Sequence, residues 1–195
     1  MIQLANQVGG VATASLPAEA PDGAEAADSP VLSADGEWWV VHTKARNEKA
    51  LAADLTKLGV HHFLPLVHTI RKHGGRKVSV DLPLFPSYLF VCGGETERYV
   101  TLTTHRVARV IKVVDQERFR GELQQIYRVI QSGRPVDLYP RLRRGQRCRI
   151  IRGSLSGVEG VVVRRRDLCR VYLGVEVLGQ SAELEIDPAW VEVLD

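Results

Sequence analysis

Apolar positions are most concentrated at residues 82–91, LPLFPSYLFV, and this run frames the pattern on either side of it. Pro83 and Pro86 fix φ and remove two backbone donors, so residues 82–87 read as an extended entry and a regular strand begins only at Tyr88. The unbroken apolar residues from Tyr88 to Cys92 call for cover on both faces, because a half-exposed strand alternates. Phe85 and Tyr88 stand at the mouth of that strand, where they either pack inward or form an apolar surface patch.

Upstream, residues 38–42 (WWVVH) read as a short strand. Residues 46–58 read as an amphipathic helix with Leu51, Leu55 and Leu58 on one stripe and Gly59 as its stop. Residues 60–71 form a strand interrupted by Pro65, Gly74 and Gly75 supply a hairpin tip surrounded by Arg71, Lys72, Arg76 and Lys77, and residues 78–82 return. Gly93 and Gly94 break the chain. A weakly patterned helix over 95–104 and a strand over 107–114 come next, and then Phe119, Leu123, Ile126, Tyr127 and Ile130 recur at helical spacing over 119–130. This succession predicts an α+β sandwich, helices packed on a mainly antiparallel sheet.

Residues 132–142 contain Gly133, Pro135 and Pro140 without periodicity and read as a flexible linker. Beyond it, residues 146–151, 157–164, 169–175, 180–186 and 191–194 are short β-rich runs divided by glycines and Pro188, the spacing of a small β-barrel. Residues 1–36, rich in Ala, Pro, Gly, Ser and acids, bury too little apolar surface to offset chain entropy and read as a disordered tail. The plan is therefore a tail over 1–36, an α/β domain over 37–131, a linker over 132–142 and a barrel over 143–195.

Charge adds an asymmetry to this plan. The net charge of +3 conceals a tail at −5, a central segment, residues 37–135, at +7 and a C-terminal segment at +1. A basic middle segment suits nucleic-acid contact, and equally an ordinary solvated face. Cys92, Cys148 and Cys169 are odd in number and widely spaced, which favours reduced thiols in a cytoplasmic protein over a zinc site or a disulfide framework. No apolar run is long enough to span a bilayer, and no secretory signal precedes the first strand. Enzyme signatures fail as well. Gly153-Ser154-Leu155-Ser156-Gly157 puts Leu where a nucleophile elbow needs Ser, and no phosphate-binding glycine loop occurs. His61, His62, His68 and His73 lack the Cys or helical partners of a metal site, so neither a cofactor nor a metal is expected.

Trp38-Trp39-Val40-Val41-His42-Thr43-Lys44, Phe85-Pro86-Ser87-Tyr88-Leu89-Phe90-Val91 and Val107-Ala108-Arg109-Val110 together resemble the N-terminal (NGN) domain of the NusG family of transcription elongation factors. The segment from Arg144 to Gly153, continuing through Gly157-Val158-Glu159-Gly160-Val161-Val162, resembles the family's KOW motif, with Gly153, Leu155, Gly157 and Gly160 as the KOW loop residues. The form of the Phe-Pro-Ser-Tyr-Leu-Phe-Val run is closer to the specialised RfaH-like paralogues. The resemblance implies an NGN-type α/β sandwich followed by an SH3-like KOW barrel in a monomer that suppresses pausing and termination. It implies docking of the RNA polymerase β′ clamp helices on Phe85, Pro86, Tyr88 and Phe90, with Trp39 and Val113 as further candidates. It also implies non-template DNA contact through Lys44, Arg46, His105 and Arg106. A second contact, to the polymerase β subunit, has only Thr101, Thr103 and Thr104 as approximate counterparts. The KOW barrel would bind a small-subunit ribosomal protein, Rho or RNA. The rival reading is an RNA-binding KOW module without stable polymerase contact. Five glycines between Gly153 and Gly179 and β-branched residues at Val158, Val161, Val162 and Val163 disfavour a helical form of that segment, so a barrel beside an open polymerase site is expected.

Overall fold

The structure, a computed structural model, describes residues 34–73, 76–139, 141, 145–165 and 168–194, with the backbone alone described for 71–73, 164–165 and 168. Its elements run β1 (Glu37–Thr43), α1 (Glu48–Lys57), β2 (His61–Phe63), β3 (Leu66–His73), β4 (Arg76–Pro83), β5 (Tyr88–Gly93), α2 (Glu95–Thr103), β6 (Val107–Lys112), α3 (Gln116–Gln131), β7 (Val136–Tyr139), β8 (Gln146–Ile150), β9 (Glu159–Arg165), β10 (Leu168–Val175), β11 (Gln180–Ile186) and β12 (Val191–Val193).

The apolar run at 88–92 becomes the strand β5, hydrogen-bonded on both sides in a sheet of order β2-β5-β1-β6. Its continuous apolar sequence is explained by burial on both faces. Phe90 and Cys92 join Trp38, Val40, Phe119, Leu123 and Ile126 on the α3 side, whereas Leu89 and Val91 join Val41, Leu51 and Leu55 on the α1 side. The aromatic contacts are edge-to-face, Phe90 to Phe119 at 5.5 Å and Phe85 to Phe90 at 6.3 Å. α3 begins at Asp115, whose carboxylate accepts the Arg118 N–H at 3.0 Å. Its first residue then ties the helix to the sheet. Gln116 accepts from the Trp38 N–H at 2.7 Å and donates to the Trp38 carbonyl at 3.0 Å, and the β1–β6 ladder reaches only Trp39 opposite Lys112.

The remaining strands form a two-stranded ribbon, β3-β4, and a six-stranded antiparallel barrel of order β12-β8-β9-β10-β11-β7. The barrel interior holds Cys148, Ile150, Leu155, Val158, Val171, Val175, Ala182 and Leu184. The expected α/β sandwich and KOW barrel are thus both present.

Three expectations change in detail. The supposed linker 132–142 contains β7, whose Val136–Tyr139 pair with β11 from Leu184 to Ser181. Pro135 directly precedes a short edge strand, where proline is tolerated, and does not prevent it. At the other end, order extends into the supposed tail, since the Ala34 and Gly36 carbonyls accept from Arg120 at 3.2 and 3.3 Å. Residues 1–33 lie outside the described residues. Finally, Pro65 divides the expected 60–71 strand into β2 and β3, which belong to different sheets.

Candidate functional site

Three loops meet at one end of the sheet, beyond the last residue of β1. The Thr43 N–H donates to the Ser87 carbonyl and the Lys44 N–H to the Arg106 carbonyl, both at 2.8 Å, so the β1–α1, β4–β5 and α2–β6 connections are tied together. The buried Glu48 carboxylate accepts the Ser87 N–H at 2.6 Å. Each loop holds one non-glycine residue in the left-handed region: Arg46 at φ 59°, Ser87 at φ 66° and His105 at φ 59°. Such conformations are strained for L-residues, cost on the order of 1 kcal/mol or more each, and gather at functional surfaces. Lys44, Arg46 and His105 on these loops are all three exposed.

Arg106 plays a different part. Its Nε donates to Asp54 at 2.6 Å and its Nη1 to Asn47 at 3.0 Å, and this bond holds the Asp54 carboxyl below the usual carboxylate range. The side chain therefore braces the α1 end of the cluster. Of the residues implied to touch DNA, Lys44, Arg46 and His105 stand exposed on tied loops and make no ion pair with a described residue, and Arg106 braces those loops.

The residues implied to dock polymerase separate. Phe85 and Phe90 are both 0% exposed and Val113 is 4%, all in the cluster beneath α3. They cannot serve as surface anchors in this arrangement, because α3 covers the side of β5 on which Phe90 lies. Trp39 projects to the opposite face, where its Nε1 donates to the Gly93 carbonyl at 3.2 Å and Arg98 and Lys112 lie 5.8 and 5.7 Å from its ring. Pro86 remains exposed and Tyr88 half-buried. Tyr88 stacks on His42 at 5.0 Å, and His42 is the cross-strand partner of both Tyr88 and Arg109. Pro86, Tyr88, His42 and Arg109 thus form a small amphipathic surface adjoining Lys44 and Arg46. His42 and Arg109 were not singled out by sequence reasoning; the register that sets His42 between Tyr88 and Arg109 was the missing signal.

The barrel packs on α3. Gln125 accepts the Glu159 N–H at 2.7 Å, Glu122 accepts the Glu176 N–H at 3.1 Å, and Arg128 donates to the Ser156 carbonyl. Of the KOW loop residues, Leu155 is buried in the barrel. Gly153 sits at φ 73° with the Trp190 ring 2.9 Å from where a Cβ would stand, and at Gly160 a Cβ would lie 2.6 Å from the Tyr172 carbonyl, which explains both glycines. Gly157 lies beside Arg128. Between α3 and the barrel lies a cleft of about 460 Å³ lined by Arg118, Glu122, Gln125, Arg147, Glu159 and Glu176 among others. Burial pushes the Glu122 carboxyl up, opposed by the Glu176 N–H and by Arg118. This polar side of α3 was not legible in the sequence, where only the apolar positions of the helix were read.

The histidines of the 61–73 stretch disperse. His62 is buried with Nδ1 2.9 Å from the Val60 carbonyl, and His68 pairs with Asp81 at 2.9 Å. Among the described residues no group of three His, Cys, Asp or Glu is placed to hold a metal ion, and no helix is long and apolar enough to cross a membrane.

The chain thus joins an α/β domain that carries a cationic loop cluster to a six-stranded barrel. Residues 36–133, half of the chain, match the family described as "Transcription termination factor nusG", and the chain belongs to the NusG family. It is a transcription factor of the NusG kind, from a non-enzymatic family. Among solved structures, one described as "Domain interaction in Thermotoga maritima NusG" shares 18% identity at a TM-score of 0.42, covering 82% of this chain and 97% of that one. No curated protein matches the chain.

Proposed function

We propose that the chain is a specialised, RfaH-like elongation factor that binds the RNA polymerase β′ clamp helices, suppresses pausing and termination, and recruits a small-subunit ribosomal protein, Rho or RNA through its barrel. The observation that carries this reading is the strand-end surface, where strained loops carry the exposed Lys44, Arg46 and His105 beside Pro86, Tyr88, His42 and Arg109. Cations next to an aromatic patch suit a partner surface bordered by nucleic acid. The polymerase anchor is redrawn accordingly, with Tyr88 and Pro86 as the contact and Phe85 and Phe90 as the packing that supports them. The Ser156 carbonyl is held by Arg128, so a partner that grips the KOW loop has to displace α3.

Retention of core polymerase on the immobilised full chain tests the reading. Tyr88→Ala should lose about 2 kcal/mol or more of binding, roughly 30-fold, while circular dichroism shows the fold retained. Lys44→Gln with Arg46→Gln should lower the salt slope of elongation-complex binding by about 1.8. Undiminished retention by Tyr88→Ala removes the anchor. RNA binding by a wild-type chain that retains no polymerase would instead establish the RNA-module reading.

A further inference from the structure

A single turn leads into β5. The Phe85 carbonyl accepts the Tyr88 N–H at 3.1 Å, which makes Pro86 and Ser87 the two central residues. Proline holds φ at about −65° in the first of these places, and Ser87 stands at φ 66° in the second. Only the type II turn combines those signs, since type I needs a negative φ at both positions and the primed turns a positive φ at the first. Type II turns ask for glycine or asparagine at the second position, and this chain has neither there. A serine left to itself favours type I, in which its φ is about −90° and the peptide plane between Pro86 and Ser87 is rotated by about half a turn.

The choice between the two forms falls to one bond. The Tyr88–Phe85 bond closes either turn. The Ser87 carbonyl, which accepts the Thr43 N–H at 2.8 Å, also keeps its place in both, because ψ of the second residue is about 0° in each. The Ser87 N–H belongs to the rotated plane, and it donates at 2.6 Å to the carboxylate of Glu48, a side chain only 8% exposed. Glu48 is the first residue of α1 and directly follows the Lys44–Asn47 turn, which the Asn47 N–H closes on the Lys44 carbonyl at 3.1 Å. A helix N-terminus favours a carboxylate in that place. We propose that Glu48 is a positioning residue for polymerase docking: its carboxylate selects the type II form of the Phe85–Tyr88 turn and so sets Pro86 and Tyr88 beside the Lys44–Arg46 loop. This role rests on Pro86 and Tyr88 being the polymerase contact, and it makes a buried acid on another element a determinant of that contact.

Glu48→Ala, Ser87→Gly and the two combined test the role in the full-length chain, with two readouts. The first needs no polymerase. A type II turn brings the Pro86 Hα against the Ser87 N–H, so the wild-type chain should show a strong nuclear Overhauser effect between them, and Glu48→Ala should lose it. The second is retention of core polymerase, which Glu48→Ala should lower about tenfold. Adding Ser87→Gly should bring both readouts back to the level of Ser87→Gly alone, because glycine adopts a positive φ without steric cost. A general weakening of α1 would not be relieved by that glycine. Retention undiminished by Glu48→Ala, a loss that Ser87→Gly does not repair, or unfolding by circular dichroism in both Glu48 variants overturns the proposal. A wild-type chain that retains no polymerase refutes the docking reading of Tyr88 separately, and persistence of the Overhauser effect in Glu48→Ala then overturns the role of Glu48 as well.

Discussion

Where α3 meets the sheet it presents Phe119, Leu123 and Ile126, all buried; where it meets the barrel it presents Arg118, Glu122, Gln125 and Arg128. One helix therefore makes two contacts of different chemistry. On the sheet side each large side chain removed from water contributes about 1.5 to 3 kcal/mol, and Gln116 adds a fixed bond to both Trp38 backbone groups. On the barrel side the partners are mostly hydrogen bonds and ion pairs, worth about 0.5 to 1.5 kcal/mol each or less when exposed. The second seam is not wholly polar, because Val129 and the barrel's Leu155 belong to one apolar cluster with the sheet. The difference teaches that one helix is held to the first domain mainly by apolar burial and to the barrel mainly by polar contacts beside a smaller apolar seam.

Breaking the sheet side should have the largest effect. Phe119→Ala removes an aromatic side chain that is 2% exposed and packed edge-to-face on Phe90, so unfolding free energy in urea should fall by about 3 to 5 kcal/mol. A loss below about 1 kcal/mol would mean that α3 is held as loosely by the sheet as by the barrel.

The two sides were not equally legible beforehand. The sheet side followed from spacing, since Phe119, Leu123 and Ile126 at helical intervals have no other use than burial. The five barrel runs were equally plain, because β-branched stretches between glycines match β8 to β12 within two residues at each end. The fate of Phe85 and Phe90 was not. A surface patch and a covered core share one composition, and only the position of α3 over β5 separates them. The strand-end cluster was readable as separate cations, but the loops that gather them depend on long-range bonds such as Lys44 to Arg106. The barrel-facing stripe left no trace, because Glu122, Gln125 and Arg128 on a helix are as suitable for water as for the backbone groups they meet.

Gln125→Ala sharpens the comparison from the barrel side. It removes the acceptor of the Glu159 N–H and should weaken docking by about 1 kcal/mol, leaving the urea midpoint of the first domain unchanged. Nitrogen relaxation by NMR reports it, since amides of the barrel should tumble more independently of α3. Unaltered relaxation would show that the apolar seam around Val129 alone holds the barrel.

The smallest expected effect is a pH dependence of the same contact. Burial pushes the Glu122 carboxyl above its ordinary value of 4.5, and Arg118 and the Glu176 N–H oppose that shift without cancelling it. Across the cleft the charged groups facing it are Arg147, Glu159 and Glu176. A raised carboxyl binds its proton more tightly when docked than when the barrel has left, so docking is fullest below 4.5 and declines as pH rises from there through the raised value. The slope comes from one group and cannot exceed one proton. Glu122→Gln keeps an oxygen for the Glu176 N–H and cannot titrate, which makes it the matched control. Barrel relaxation measured across this interval should decline in coupling with pH for the wild-type chain and stay flatter for Glu122→Gln. Equal slopes in the two proteins would leave Glu122 a hydrogen-bond acceptor only.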